Sequence, residues 1–169
     1  MKQSDFLKTV LPFKDKVFRL AKRLLVSREE AEDATQELYF KLWKNKQKLT
    51  EYKNVEAFAM TMTKNYCYDR LKSKQASNLT LIHSNYIEKE TALDKKIEYR
   101  DSVSQVHKLI KGLPEQQKII IQLRDVEEYD YDEISKMLDM NPTAVRVALS
   151  RARKTIREAL IKKHNYGVS

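Results

Sequence analysis

Only two of the 169 residues are glycine, Gly112 and Gly167, and neither lies in a glycine-rich turn. A loop that wraps phosphates with its backbone needs several glycines in a short span, because only glycine lets the main chain approach that closely. P-loop and dinucleotide-fingerprint architectures are therefore excluded. With three prolines as the only other strong turn formers, the chain also lacks the punctuation of a sheet protein. An all-α fold is expected.

Charge narrows the partners. Lys plus Arg is 33 against 24 Asp plus Glu, a formal net charge of +9, which favours polyanions and nucleic acid first. The charge is uneven: residues 1–75 carry 17 basic and 10 acidic residues, 76–106 carry 4 and 5, and 107–169 carry 12 and 9. Two basic blocks thus flank a nearly neutral stretch. Cys67 is alone, so no internal disulfide forms, and His83, His107 and His164 lack the spacing of metal ligands. No cofactor and no metal is expected. Charges interrupt the apolar residues of the first sixteen positions, unlike a signal peptide, and no long apolar run occurs. A cytoplasmic chain without membrane insertion is the expectation.

The first block reads as three helices. Phe13, Val17, Leu20 and Leu24 keep helical spacing after Pro12, and Ser27 with Glu30 makes a capping box for a second helix with Ala31, Ala34, Leu38 and Leu42 on one face. Tyr39, Phe40 and Trp43 widen that apolar surface, as core or as a face for a helical partner. After a polar break, KLTEYKN, a third helix has Val55, Phe58, Ala59, Met62 and Tyr66 as its stripe. The stretch 76–106 has no sustained period and reads as a flexible linker.

The last block resumes a helical pattern near Val103. Leu113-Pro114 breaks it, with Pro114 expected in the first turn of a helix carrying Ile120, Leu123 and Val126. Asp130 with Glu133 caps a helix containing Ile134 and Leu138. Then Asn141 caps, Pro142 takes the first helical position, and a long helix is expected to about Lys162. On a helical wheel Val145, Leu149, Ala152, Ile156 and Leu160 share an arc of about 80°. Arg146, Val147, Ser150, Arg151, Arg153, Lys154 and Arg157 occupy the other side. Two helices joined by a short turn, the second longer and basic, fit a helix-turn-helix with cations suited to phosphates and guanine edges.

These residues also carry a resemblance. The stretch LPEQQKIIIQLRDVEEYDYDEISKMLDMNPTAVRVALSRARKTIREAL resembles region 4 of bacterial sigma factors, which recognises the −35 promoter element. AVRVALSRARKTI is similar to the recognition helix of the extracytoplasmic-function group of the sigma-70 family. The resemblance implies that Arg146, Val147, Ser150 and Arg151 face bases while Arg153 and Lys154 hold phosphates. Glu128 and Asp139 depart from the family pattern, which often has glycine there, so turns of different geometry are expected.

In the first block, SREEAEDATQELYFKLWKNKQKL is similar to region 2.2, and the resemblance implies that Asp33, Gln36 and Glu37 dock on the clamp helices of the polymerase β′ subunit. NVEAFAMTMTKNYCYDRLKSK resembles regions 2.3 and 2.4, which open and read the −10 element. The implied contacts are Lys53 and Asn54, at the end of a loop from Leu49 that captures a flipped base, and Lys64 and Asn65, with Asn65 near that pocket. The implied architecture is a region 2 helical bundle over 1–75, a linker over 76–106 and a region 4 helix-turn-helix over 107–169. The implied function is that of a dissociable, non-enzymatic specificity subunit. Its partners would be core RNA polymerase (β′ clamp helices and β flap), promoter DNA and an anti-sigma factor. The residues taken without the resemblance also accommodate a dimeric helix-turn-helix repressor or a basic RNA-binding adaptor.

Overall fold

The structure is a computed structural model that describes residues 1–76 and 102–167; His83 and most of the stretch expected to be a linker lie outside the described residues. The protein is all-α, with no strand among the described residues. Two compact units emerge, one within residues 1–76 and one within 102–135 and 139–167.

The first unit comprises α1 (Gln3–Val10), a 3-10 turn (Leu11–Phe13), α2 (Lys14–Leu25), α3 (Arg28–Lys44), the single turn α4 (Lys46–Leu49) and α5 (Val55–Ala76). The three expected helices are α2, α3 and α5, and α1 is additional. Phe13, Val17, Leu20 and Leu24 of α2 and Ala31, Ala34, Leu38 and Leu42 of α3 are all buried, as their spacing requires. Two alanines in the first half of α3 let α2 approach closely. α2 and α3 are joined by Val26 and Ser27 alone. So short a connection reverses the chain only if one residue turns left-handed, and Val26 does so at φ 70°. Ser27 then caps α3, its hydroxyl accepting the Glu30 N–H at 3.3 Å. The Glu30 carboxylate also pairs with Lys74, tying the start of α3 to the end of α5.

α1 settles what covers the aromatic side of α3. Phe6 meets Trp43 edge to face at 5.0 Å, and the Tyr39 hydroxyl donates to the Val10 carbonyl at 2.7 Å. Tyr39 and Trp43 are half-buried; only Phe40 between them is open, at 52% exposure.

The expected stripe of α5 is out of phase. Ala59 is buried, but its companions are Met60, Thr63 and Cys67, whereas Val55, Phe58, Met62 and Tyr66 are half-exposed. Thr63 occupies a buried position because its hydroxyl donates to the Ala59 carbonyl at 2.7 Å, which removes the cost of an unpaired polar group.

The second unit comprises α6 (Ser102–Lys111), α7 (Glu115–Ile121), a π-helical turn (Gln122–Val126), α8 (Tyr131–Leu138) and α9 (Pro142–Gly167). Pro114 is the N-cap of α7, one position before the expected first turn, and α9 runs five residues past the expected Lys162. Ile119, Ile120, Ile121 and Leu123 pack with Ile134, Val145, Leu149, Ala152 and Ile156 in the core. The π turn explains one departure: by widening the helix it rotates Val126 outward, to 37% exposure, and Gln122 inward. Buried Gln122 donates from Nε2 to Glu127 Oε1 at 3.3 Å.

Asp130 Oδ1 accepts the Glu133 N–H and Asn141 Oδ1 accepts the Thr143 N–H, each at 2.8 Å, so both expected caps form. The expectation for the two turns is corrected: Glu128 (φ 64°) and Asp139 (φ 52°) adopt the left-handed conformation that glycine favours. The turn before α9 holds Asp139 there through neighbours. Met140 N–H reaches the Ser135 carbonyl at 3.0 Å, and the Ser135 hydroxyl donates to the Met140 carbonyl.

Two outcomes follow for stability and reactivity. Asp139 is exposed, so Asp139→Gly removes a left-handed side-chain penalty and should raise unfolding free energy by up to about 1 kcal/mol, read by urea denaturation. A loss of stability would show that the carboxylate itself holds the turn. Burial pushes the Cys67 thiol up to about 12 from an ordinary 9.0, with Arg70 opposing. The protonated thiol is favoured in the fold, so its contribution is complete below pH 9 and falls as pH rises toward 12. Iodoacetamide at neutral pH should therefore label Cys67 far more slowly in the native chain than in urea, and equal rates would refute the burial.

Candidate nucleic-acid interface

The rotation of α9 decides what the second unit offers. Val145, Ala148, Leu149, Ala152 and Ile156 are buried, and Arg146, Val147, Ser150, Arg151, Arg153, Lys154 and Arg157 are all exposed. The residues expected to meet the −35 element thus share one open side. The structure groups them further. The Arg146 guanidinium lies 5.0 Å from the centre of the Tyr131 ring, and Arg124 lies 4.9 Å from the same ring. Arg124 Nη1 also donates to the Tyr129 carbonyl at 2.9 Å.

Arg153 makes a two-pronged contact with Asp125: Nε donates to Oδ2 at 3.0 Å and Nη2 donates to Oδ1. Hydrogen bonding to Asp125 raises the guanidinium pKa above its ordinary value. Val147 and Arg151 instead line an open groove of about 630 Å³ with Gln116 and Gln117 of α7 and Asn141 and Thr143 at the head of α9. Arg124, Asp125, Tyr131 and Gln117 escaped the sequence reasoning. Tyr131, directly after the Asp130 cap, carried a local signal; the others depend on contacts between distant segments.

In the first unit the residues expected at the −10 element lie along α5 and the loop before it. Asn54 caps α5, its Oδ1 accepting the Ala57 N–H at 3.0 Å. Lys53, Asn54 and Asn65 are exposed and Lys64 is half-buried. Eleven residues of helix separate Asn54 from Asn65 by about 16 Å and return them to the same face. Asn54, Phe58, Asn65 and Lys72 form a line along the helix. Tyr52, absent from the expected set, stacks on Phe58 with ring centres 4.2 Å apart and planes 16° from parallel. Tyr66 is engaged within the unit, accepting from Arg70 Nη1 at 3.2 Å with Lys41 Nζ 5.1 Å from its ring centre.

On α3, Asp33, Gln36 and Glu37 are exposed on the side opposite Ala31, Ala34 and Leu38, with exposed Phe40 one turn further. Among the described residues no three His, Cys, Asp or Glu side chains gather to hold a metal, and no helix is long and apolar enough to cross a membrane.

A basic helix-turn-helix unit, and a second helical unit that lines aromatics and amides along one helix, define a two-module DNA-binding protein. Residues 10–77 match the family model "Sigma-70 region 2" and residues 104–156 match "Sigma-70, region 4". The RNA polymerase sigma-H factor of Pseudomonas aeruginosa is 28% identical over 165 residues, spanning 89% of this chain and 83% of that protein. The ECF RNA polymerase sigma factor SigK of Mycobacterium tuberculosis is 25% identical over 151 residues, spanning 87% and 81%. Among solved structures, the sigma factor RpoE in complex with the anti-sigma factor NepR from Bartonella quintana shares the fold with a TM-score of 0.68. It is 17% identical, over 92% of this chain and 96% of that one. CnrH in complex with the cytosolic domain of CnrY gives a TM-score of 0.66 at 16% identity, over 95% and 90%. The chain belongs to the sigma-70 family of RNA polymerase sigma factors, in its extracytoplasmic-function group.

Proposed function

We propose that this chain is a dissociable sigma subunit that binds bacterial core RNA polymerase in the cytoplasm and directs promoter-specific initiation. The observation that carries this reading is the paired exposure of two chemically different faces: the cationic side of α9 and the acid-amide face of α3. Region 2 spans 1–75, the linker 76–106 and region 4 107–169. Asp33, Gln36 and Glu37 dock on the β′ clamp helices, where carboxylates on an otherwise basic unit select a cationic partner. Lys53, Asn54, Lys64 and Asn65 contact the opened −10 strand. The line of Asn54, Phe58, Asn65 and Lys72 suits successive nucleotides of a single strand, with the Tyr52–Phe58 pair as a stacking platform.

Arg146, Val147, Ser150 and Arg151 read −35 base edges and Arg153 and Lys154 hold phosphates, while region 4 touches the β flap. Nucleotide chemistry belongs to the core enzyme, so the chain is not itself an enzyme. RpoE was solved with the anti-sigma factor NepR, and CnrH with the cytosolic domain of CnrY. An anti-sigma factor is accordingly the proposed regulator here, and the open ring of Phe40 offers it an apolar contact.

Two measurements test this reading. The purified chain should bind sigma-free core polymerase, and Asp33→Ala with Gln36→Ala should weaken binding about tenfold or more, as loss of central interface contacts does. A folded chain that ignores core polymerase and instead binds a palindromic duplex as a dimer would be a repressor. Asn65→Ala should retain core binding yet reduce strand opening in permanganate footprints; unchanged opening would remove Asn65 from the −10 contact.

A further inference from the structure

We propose that Asp125 is a positioning residue for DNA recognition, holding Arg153 in the orientation in which it meets a phosphate; this rests on the −35 reading of α9. An arginine side chain is long, flexible and always charged, and it carries five N–H donors. Asp125 takes two of them, Nε–H to Oδ2 at 3.0 Å and one Nη2–H to Oδ1. The other three donors are on Nη1 and Nη2, Tyr131 also hydrogen-bonds the guanidinium, and the Arg153 side chain is still 45% exposed. The pair is thus a fixed fork with an open outer edge.

The surroundings restrict the alternatives. Asp125 belongs to the π turn, so its backbone position is set by the same widened segment that buries Gln122. Its neighbour Arg124 is held over Tyr131 and by the Tyr129 carbonyl, and Arg146 covers that ring as well. Tyr131 also contributes to the environment of Arg153. Three arginines from two segments are therefore ordered around one tyrosine and one aspartate. An exposed salt bridge adds little stability, so the use of the Asp125 fork is directional: it orders the Arg153 side chain before DNA arrives, which spares that ordering on binding.

The test uses the full chain assembled with bacterial core polymerase. The probe is a promoter fragment retained by the wild-type holoenzyme from a pool randomised across the −35 element, with affinity followed against salt. Arg153→Gln should lower the slope of log affinity on log salt by about 0.9, the signature of one lost phosphate contact. Asp125→Asn keeps Arg153 charged, so the slope should stay while affinity falls about three- to tenfold. Arg153→Lys keeps the charge but loses the fork, and should match Asp125→Asn. Combining Arg153→Lys with Asp125→Asn should cost no more than either alone.

Tighter binding by Asp125→Asn would make Asp125 a competitor of the DNA and overturn the proposal. An unchanged slope in Arg153→Gln would also overturn it, leaving the pair an internal strut. Should Asp125→Asn unfold the second unit, Arg153→Lys decides alone: wild-type affinity for that variant refutes the positioning role. A wild-type chain that assembles with core yet retains no fragment above a scrambled pool would refute the −35 reading itself, and the role of Asp125 with it.

Discussion

Burial of Val145, Leu149, Ala152 and Ile156 fixes the rotation of α9, and what the C-terminal unit presents to solvent follows from that rotation. Each buried branched aliphatic side chain contributes about 1.5–3 kcal/mol relative to exposure. Turning α9 by a third of a revolution would expose several of them and force arginines toward Ile119, Ile120 and Leu123. No surface charge pair, worth about 0–1 kcal/mol, compensates for that. The apolar face therefore decides, and the cations take the positions that remain. The two turns before α9 accept the same control: Glu128 and Asp139 adopt left-handed backbones at a local cost because the helices they join are already fixed by their cores.

The N-terminal unit obeys the same logic with different chemistry outside. Ala31, Ala34, Leu38 and Leu42 bind α3 to its neighbours, so Asp33, Gln36 and Glu37 must point away. Here the exposed residues are carboxylates and an amide on a unit rich in lysine and arginine. Such a face is electrostatically complementary to a cationic surface rather than to a polyanion. The acid-amide side of α3 and the cationic side of α9 are thus two exposed faces of opposite chemistry, each left over by the packing of its own helix.

Local chemistry was the legible part of the sequence. The Ser27, Asp130 and Asn141 caps each involve a hydrogen bond only two or three residues long, and the stripes of α2, α3 and α9 each depend on one helix alone. The residues expected at the −35 side came out exposed together for that reason. Errors arose where a decision involved more than one segment. The buried face of α5 includes Thr63 and Cys67, which a count of large apolar residues passes over. The Tyr39 and Trp43 rings required α1 to decide their fate, and α1 is too short to declare itself by periodicity. The glycine pattern misled differently: the left-handed turns are present without glycine, so residue type alone understated what tertiary packing enforces.

The same limit explains Asp125. Along α9 no acidic residue occurs between Pro142 and Arg157, so a wheel drawn for that helix shows five unbalanced cations. The folded unit supplies a counter-charge from 28 residues earlier, through a π turn that periodicity does not reveal. Five unrestrained cations would favour any DNA, since phosphate attraction carries no sequence information. Tying one of them to a carboxylate and setting another over an aromatic ring converts part of that charge into fixed direction, and direction is what a reader of one particular duplex needs.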